Sequence, residues 1–298
     1  MPGRSLVIGA SGQLGRQLVR LLRAAGEEVL ESACHHRAPG QHPIDLRDPE
    51  GAVRAVKMLR PDQILIAGAY CNVDGAESEP TVCHQINAGT PRRIAEAGRD
   101  RLKRLVYFST DYLFNGRKGE PYRETDPIIP LNQYARSKAD GEAAIRTLLP
   151  DRHLILRTAW LFGPDPVRKN FILRLVDRLR AGEPASIPID QWGTPTYTED
   201  VAKATQFLLQ QGDTGIFHAA GPDFVDRRTL SEQVCRRFNL DLNLLKPLKT
   251  VELKQRAARP LQVRMDCRKL RQASVPPFRN LEAGLTALFE WEQGRDAA

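Results

Sequence analysis

A glycine-spaced turn, Gly9-Ala10-Ser11-Gly12-Gln13-Leu14-Gly15, set between an apolar triplet and a helical stripe, constrains the fold more than any other feature. Leu6-Val7-Ile8 before it reads as a buried strand. Leu14, Leu18, Leu21 and Leu22 after it share one helical face, which ends at Gly26, a suitable helix C-terminal residue. The alternation then repeats. Glu28-Val29-Leu30 reads as a second strand, residues 52–59 as a helix halted before Pro61, and residues 63–67 as a third strand. Residues 82–97 read as helical, residues 104–108 as a fourth strand and residues 154–156 as a fifth. Strands joined through helices pair in parallel, and right-handed crossovers cover both faces. The expected class is therefore α/β, a doubly wound parallel sheet of Rossmann type. The glycine turn, Gly68-Ala69-Tyr70 and Ser109-Thr110-Asp111 all fall at C-terminal strand ends, where such sheets bind ligands.

Beyond Trp160, prolines at 164, 166, 184, 188, 195, 222 and 260 interrupt the pattern. The helix after Asp200 and the strand Gly215-Ile216-Phe217-His218 resume it. Residues 1–160 are thus expected to form the main domain, with residues 185–220 returning to it. Residues 161–298 would mainly form a smaller C-terminal α/β substrate domain. Asp200 reads as the cap of its helix, and His218 as a strand residue with its ring satisfied.

The 298 residues are 41% hydrophobic and 27% charged, within the range of globular chains. No run is long and apolar enough to span a bilayer, and Met1-Pro2-Gly3-Arg4 enters the first strand without an apolar leader, so the expected location is the cytoplasm. The five cysteines are scattered, with no CxxC pair, and Cys34-His35-His36 are adjacent loop residues poorly suited to converge on one ion; no metal is expected. The net charge of +8 is diffuse, without a run of five basic residues. That argues against nucleic-acid or membrane partners and suits an anionic ligand. A homodimer is left open.

A glycine turn between strand and helix lets backbone approach a pyrophosphate and aims free N–H groups at it. Gly9, Gly12, Gln13, Leu14 and Gly15 are the candidates, although the spacing is GxxGxxG rather than GxGxxG. At the end of the second strand, Ser32-Ala33-Cys34-His35-His36-Arg37 offers no carboxylate for a ribose 2′-OH, whereas Arg37 could accept a 2′-phosphate. NADPH is therefore the expected cofactor, with NADH the alternative. Asp45-Leu46 would border the adenine.

Tyr134 and Lys138, at i and i+4, project from one helix face. A free phenol titrates at about 10. A neighbouring ammonium is expected to lower that value and equip Tyr134 to protonate a carbonyl oxygen as hydride arrives. Thr110 would donate a second hydrogen bond to that oxygen.

On these motifs the chain resembles the dTDP-4-dehydrorhamnose reductase family of extended short-chain dehydrogenases. Residues 109–116, STDYLFNG, are similar to that family's STDYVFDG, and residues 121–126 to its PYxExD. Val73-Asp74-Gly75-Ala76-Glu77, Arg157-Thr158-Ala159-Trp160, Asn170-Phe171 and residues 190–196 resemble its VDxAE, RTSW, NF and DQxGxPT segments. The resemblance implies a catalytic triad of Thr110, Tyr134 and Lys138. It implies cofactor contacts at Gly12, Gln13, Leu14, Asp45, Leu46, Gly68, Ala69 and Tyr70. Sugar-nucleotide contacts would fall at Val73, Asp111, Tyr112 and Trp160, and more weakly at Asn170 and Gln191. Tyr112 and Trp160 could equally be core aromatics, and Asp111 a turn cap. The implied reaction is NAD(P)H-dependent reduction of a 4-keto-6-deoxy nucleotide sugar, foremost dTDP-4-dehydro-β-L-rhamnose. The alternatives are another 4-keto nucleotide sugar, or a regulatory subunit like the β subunit of methionine adenosyltransferase, which shares much of the motif set. Two departures lie on the expected sugar side. Cys71 replaces the threonine of the family's AAA(H/Y)T, and residues 259–266 lack the serine of its RPxxSxLD.

Overall fold

The computed structural model describes residues 3–34 and 38–296. Its first half alternates as the sequence predicts. β1 (Arg4–Ile8) feeds α1 (Gln13–Ala24), followed by β2 (Glu28–Ala33), β3 (His42–Pro43), α2 (Pro49–Leu59) and β4 (Gln63–Ile66). Then come α3 (Val73–Ser78), α4 (Pro80–His84), a π-helical segment Gln85–Gly89, α5 (Thr90–Gly98), β5 (Arg104–Thr110), α6 (Gln133–Leu148) and β6 (His153–Thr158). The second half contains β7 (Leu161–Phe162), α7 (Phe171–Arg180), β8 (Ala185–Pro188), β9 (Trp192–Gly193) and β10 (Thr196–Tyr197). It continues through α8 (Thr198–Gln211), β11 (Gly215–His218), β12 (Val225–Asp226), α9 (Arg227–Phe238), β13 (Leu245–Leu248), α10 (Arg268–Gln272) and α11 (Leu281–Asp296).

Seven parallel strands form one sheet in the order β11-β6-β5-β4-β1-β2-β3. The order reverses between β4 and β1, which opens a crevice at their C-terminal ends. Alternation along each strand builds two cores. Leu6, Ile8, Ile64, Ile66, Leu105, Tyr107 and Ile155 face α2, α5 and α6. Val7, Leu65, Val106, Phe108, Leu154 and Leu156 face α1 and α8. A third core, with Ile172, Val176, Leu230, Val234, Leu285 and Leu288, joins α7, α9 and α11. Within residues 185–220, β8 pairs with β13 beside that third core, whereas α8 packs on α1 and β11 forms the sheet edge. No helix among the described residues is long and apolar enough to cross a membrane.

Several sequence expectations change. Residues 82–97 are not one regular helix: the π segment lets Asn87 turn inward and bond the neighbouring loop and α6. Asp200 does not cap α8, which starts at Thr198. The Thr198 hydroxyl bonds the Phe162 carbonyl, and the Asp200 carboxylate accepts from the Arg279 backbone N–H at 2.8 Å and pairs with its guanidinium. His218 is fully buried, yet neither ring nitrogen has a hydrogen-bond partner among the described residues. Burial, helped by the nearby Arg157 charge, holds its pKa at about 3 and keeps it neutral. Arg37, His35 and His36 lie outside the described residues.

Candidate active site

The glycine turn packs backbone against backbone. Gly9 has φ +86°, and a Cβ there would lie 2.5 Å from the Gly68 nitrogen; a Cβ on Gly15 would lie 2.1 Å from the Gly9 carbonyl oxygen. Neither position tolerates a side chain. Gly12 caps α1 without a side chain, so the first amides of the helix have no side-chain acceptor. A bare helix N-terminus behind a glycine cradle fits a dinucleotide pyrophosphate. Leu14 is buried in the core and can offer only its backbone, while the Gln13 carboxamide oxygen accepts from Asn170 Nδ2 at 3.4 Å.

At the β2 end of the crevice, Asp45 is gripped by Arg47 at 2.7–3.0 Å, which holds its carboxyl at about 2. Arg47 also lies 3.7 Å from Cys34 Sγ, so it is a cation at the end of β2 that the sequence reading overlooked. Leu46 is buried, and its carbonyl accepts from the Thr90 hydroxyl at 2.6 Å. Gly68, Ala69 and Tyr70 form the loop after β4. Gly68 N–H donates to Ile8 O, and the Tyr70 hydroxyl donates to Glu79. Burial and Glu79 together push Tyr70 up to about 12. Asn87, also unforeseen, clamps this loop. Its Oδ1 accepts from Tyr70 N–H at 2.9 Å, and its Nδ2 donates to Tyr70 O at 3.1 Å and to Ser137 Oγ at 3.0 Å. A single amide therefore fixes the loop after β4 to the helix that carries Tyr134 and Lys138. Its one sequence signal is an asparagine inside an amphipathic helical run.

Thr110 ends β5, two residues beyond the predicted strand. Its hydroxyl accepts from Tyr112 N–H at 3.2 Å and donates to Asp111 Oδ1 at 3.1 Å. Asn132 caps α6 by accepting from Ala135 N–H at 2.8 Å. The Tyr134 ring meets Tyr112 edge-on at 6.1 Å. Burial raises the Tyr134 pKa well above the usual value, the Cys71 sulfur adds to the rise, and the Thr110 hydroxyl opposes it. The expected lowering by Lys138 is thus overturned. The Lys138 ammonium donates to Phe108 O at 2.6 Å and sits 3.9 Å over the Tyr107 ring, while burial brings its own pKa down to about 8. The phenol keeps its proton and the lysine is close to losing one. Asp111 is also buried, and desolvation lifts its carboxyl to about 7 despite the Thr110 hydrogen bond and the Arg227 charge. The Cys71 thiol opens onto this cleft, within electrostatic reach of Lys138 and Lys169.

The opposite wall combines α3 with residues from the second half of the chain. Val73 begins α3, which Asn72 caps. Trp160 has φ +41°, and a Cβ on Gly193 would lie 2.3 Å from its indole. The Arg227 guanidinium lies over the indole ring at 3.5 Å and 4.4 Å from the Phe171 ring. Arg259 pairs with Asp74 at 2.8 Å. The amides of Asn170 and Gln191 serve the protein itself. Asn170 caps α7 and donates to Gly163 O, and Gln191 donates to Thr250 and Gln255 in the segment that follows β13. Sequence reasoning missed Arg227, whose position beside Trp160 depends on how α9 packs. A separate groove of about 630 Å³, with Arg264, Met265 and Phe278 in its walls, shares no residue with this cleft.

The family described as RmlD substrate binding domain matches residues 3–293. A dTDP-4-keto-6-deoxy-D-glucose reductase of Streptomyces niveus is 34% identical over 289 residues, covering 97% of each chain. A dTDP-4-dehydrorhamnose reductase of Streptomyces griseus is 35% identical over 298 residues, covering 98% of this chain and 95% of that one. Among solved structures, a dTDP-4-dehydrorhamnose reductase from Bacillus anthracis in complex with NADP superposes with a TM-score of 0.89 at 29% identity. The match covers 98% of this chain and 100% of that one.

Proposed function

The chain belongs to the RmlD substrate binding domain family, and from that premise we propose that it reduces the 4-keto group of a 6-deoxy nucleotide sugar with NADPH. The observation that carries the reading is the half-buried Tyr134 phenol. It holds its proton beside Thr110 and meets Tyr112 edge-on. NADPH, when bound, supplies the hydride. The protein's part is to place the keto oxygen between the Thr110 hydroxyl and Tyr134. The Tyr134 proton passes to that oxygen, so the carbonyl becomes a secondary alcohol. Lys138, one helical turn from Tyr134 and held by the Phe108 carbonyl, keeps a positive charge in the site below about pH 8.

The sugar best supported is dTDP-4-dehydro-β-L-rhamnose, giving dTDP-L-rhamnose. The Streptomyces niveus relative makes another 4-keto-6-deoxy nucleotide hexose the second reading, and Cys71, on the sugar side, is a residue that could separate the two. NADPH is favoured over NADH because a relative of the same fold was solved with NADP. In this reading the α/β sheet half holds NADPH, and the part built on α7, α9 and α11 supplies the sugar-nucleotide wall. The enzyme would work in the cytoplasm on a small molecule, with no nucleic-acid or membrane partner.

The test is loss of NADPH absorbance with dTDP-4-dehydrorhamnose, wild type beside Tyr134→Phe. Removing the proton donor should lower kcat by roughly 10²–10⁴-fold. A Tyr134→Phe enzyme within tenfold of wild type overturns the assignment of the proton donor. Tight NADPH binding without turnover of any 4-keto nucleotide sugar overturns the reductase and points to a regulatory subunit.

A further inference from the structure

We propose that Arg227, with Arg259 beside it, is the seat of the diphosphate of the sugar nucleotide, and that its charge rather than its packing sets affinity there. The inference rests on reading the cleft as a nucleotide-sugar site.

Three costs are concentrated on this side chain. Arg227 is the first residue of α9, where the helix dipole disfavours a cation. It is half-buried against Trp160 and Phe171, yet no carboxylate among the described residues pairs with it. The preceding Asp226 is already spent, accepting from the Thr229 amide at 2.9 Å and the Thr229 hydroxyl at 2.6 Å. Arg259 is close enough to repel it; burial and that repulsion together bring its pKa down to about 10. A desolvated, unpaired cation at the wrong end of a helix is destabilising unless a ligand supplies the anion.

The geometry matches such a ligand. The guanidinium sits over the Trp160 ring, its central carbon 3.5 Å from the ring centre, and its charge is felt by Asp111 and Tyr112. A planar fork of N–H donors suits the bidentate oxygens of a phosphate. The main-chain N–H of Arg227 donates to Gln191 O at 2.9 Å, which anchors the start of α9 to the wall opposite the triad. Arg259 is held by Asp74 and lies near enough for its charge to act on Arg227. A neutral ligand would leave the Arg227 charge uncompensated, whereas a diphosphate would neutralise it next to Arg259, which Asp74 already pairs.

The experiment measures dTDP and thymidine binding by calorimetry to wild type, Arg227→Met and Arg227→Lys, with NADPH binding to each as the check on folding. Methionine keeps the apolar stem against Trp160 and removes the charge. The expected result is a dTDP affinity about 10–100-fold weaker in Arg227→Met, partial recovery in Arg227→Lys, and unchanged thymidine and NADPH affinities. In wild type, dTDP binding should weaken steeply with added salt while thymidine binding does not; this arm needs no variant. Equal dTDP affinity in wild type and Arg227→Met, or a salt-insensitive wild type, overturns the proposal. The reductase reading is judged separately by turnover. Arg227-dependent dTDP binding without NADPH consumption would leave the seat standing and remove the activity, and turnover with an unaltered KM in Arg227→Met would do the reverse.

Discussion

Glu142→Gln is expected to damage this protein through a single buried charge. Arg157 on β6 and Glu142 on α6 are each only 1% exposed at the side chain. Their contacts run at 2.8, 3.0 and 3.3 Å, and the remaining Arg157 donor goes to the Glu124 carbonyl at 3.1 Å. With charge centres roughly 4 Å apart and an effective dielectric of about 20, their attraction is about 4 kcal/mol. Glutamine keeps the shape and part of the hydrogen bonding but leaves the guanidinium unpaired. A loss of about 3 kcal/mol follows, near the lower end for breaking a buried pair. For a chain of 298 residues, with an unfolding entropy of about 2.1 cal/mol/K per residue, that is a fall in melting temperature of roughly 5 °C. The double variant Glu142→Leu with Arg157→Met should recover most of the loss, because neither charge then remains in the interior. Glu142 lies one helical turn beyond Lys138 and supports its protonation, against the dominant effect of burial. The single variant should therefore also move the alkaline limb of kcat/KM to lower pH. Thermal unfolding of the apo forms by circular dichroism gives the first quantity and NADPH-oxidation rates across pH the second. A melting shift below about 3 °C with an unmoved limb would refute the reasoning.

The remaining predictions concern the site. Lys138 titrates at about 8 in the folded chain and 10.5 unfolded, so its depressed pKa makes the folded state gain stability as pH rises between those values. Activity that needs the ammonium should instead decline through about pH 8, and a flat rate from pH 7 to 9.5 would contradict this. Gly15→Ala pushes a Cβ to 2.1 Å from the Gly9 carbonyl and should weaken NADPH binding by roughly tenfold or more, read by fluorescence titration. Gly193→Ala drives a Cβ into the Trp160 indole and should raise KM for the sugar nucleotide while leaving NADPH affinity within about twofold; a selective loss of NADPH binding would move Trp160 out of the substrate wall.

Signals confined to one element were legible in the sequence. The alternation of apolar triplets with helical stripes determined a parallel sheet, because only crossovers can join such strands. Gly9, Gly12 and Gly15 marked the turn after β1, and at Gly9 and Gly15 no other residue fits. Tyr134 and Lys138 were visible as a pair through helical spacing alone, and Thr110 through its place at a strand end. What the spacing did not carry was the electrostatic state of those groups. The Tyr134 pKa rises instead of falling because distant strands and loops desolvate the phenol and Cys71 adds to the rise, while Lys138 is held by Phe108 O and the Tyr107 face, both supplied by β5. The Asn87 clamp, the bond from Asp200 to Arg279 and the stack of Arg227 on Trp160 likewise join residues far apart in the chain. Periodicity records which face of an element is buried. Which side chains meet there, and which charges must be neutralised, is decided only when the elements pack.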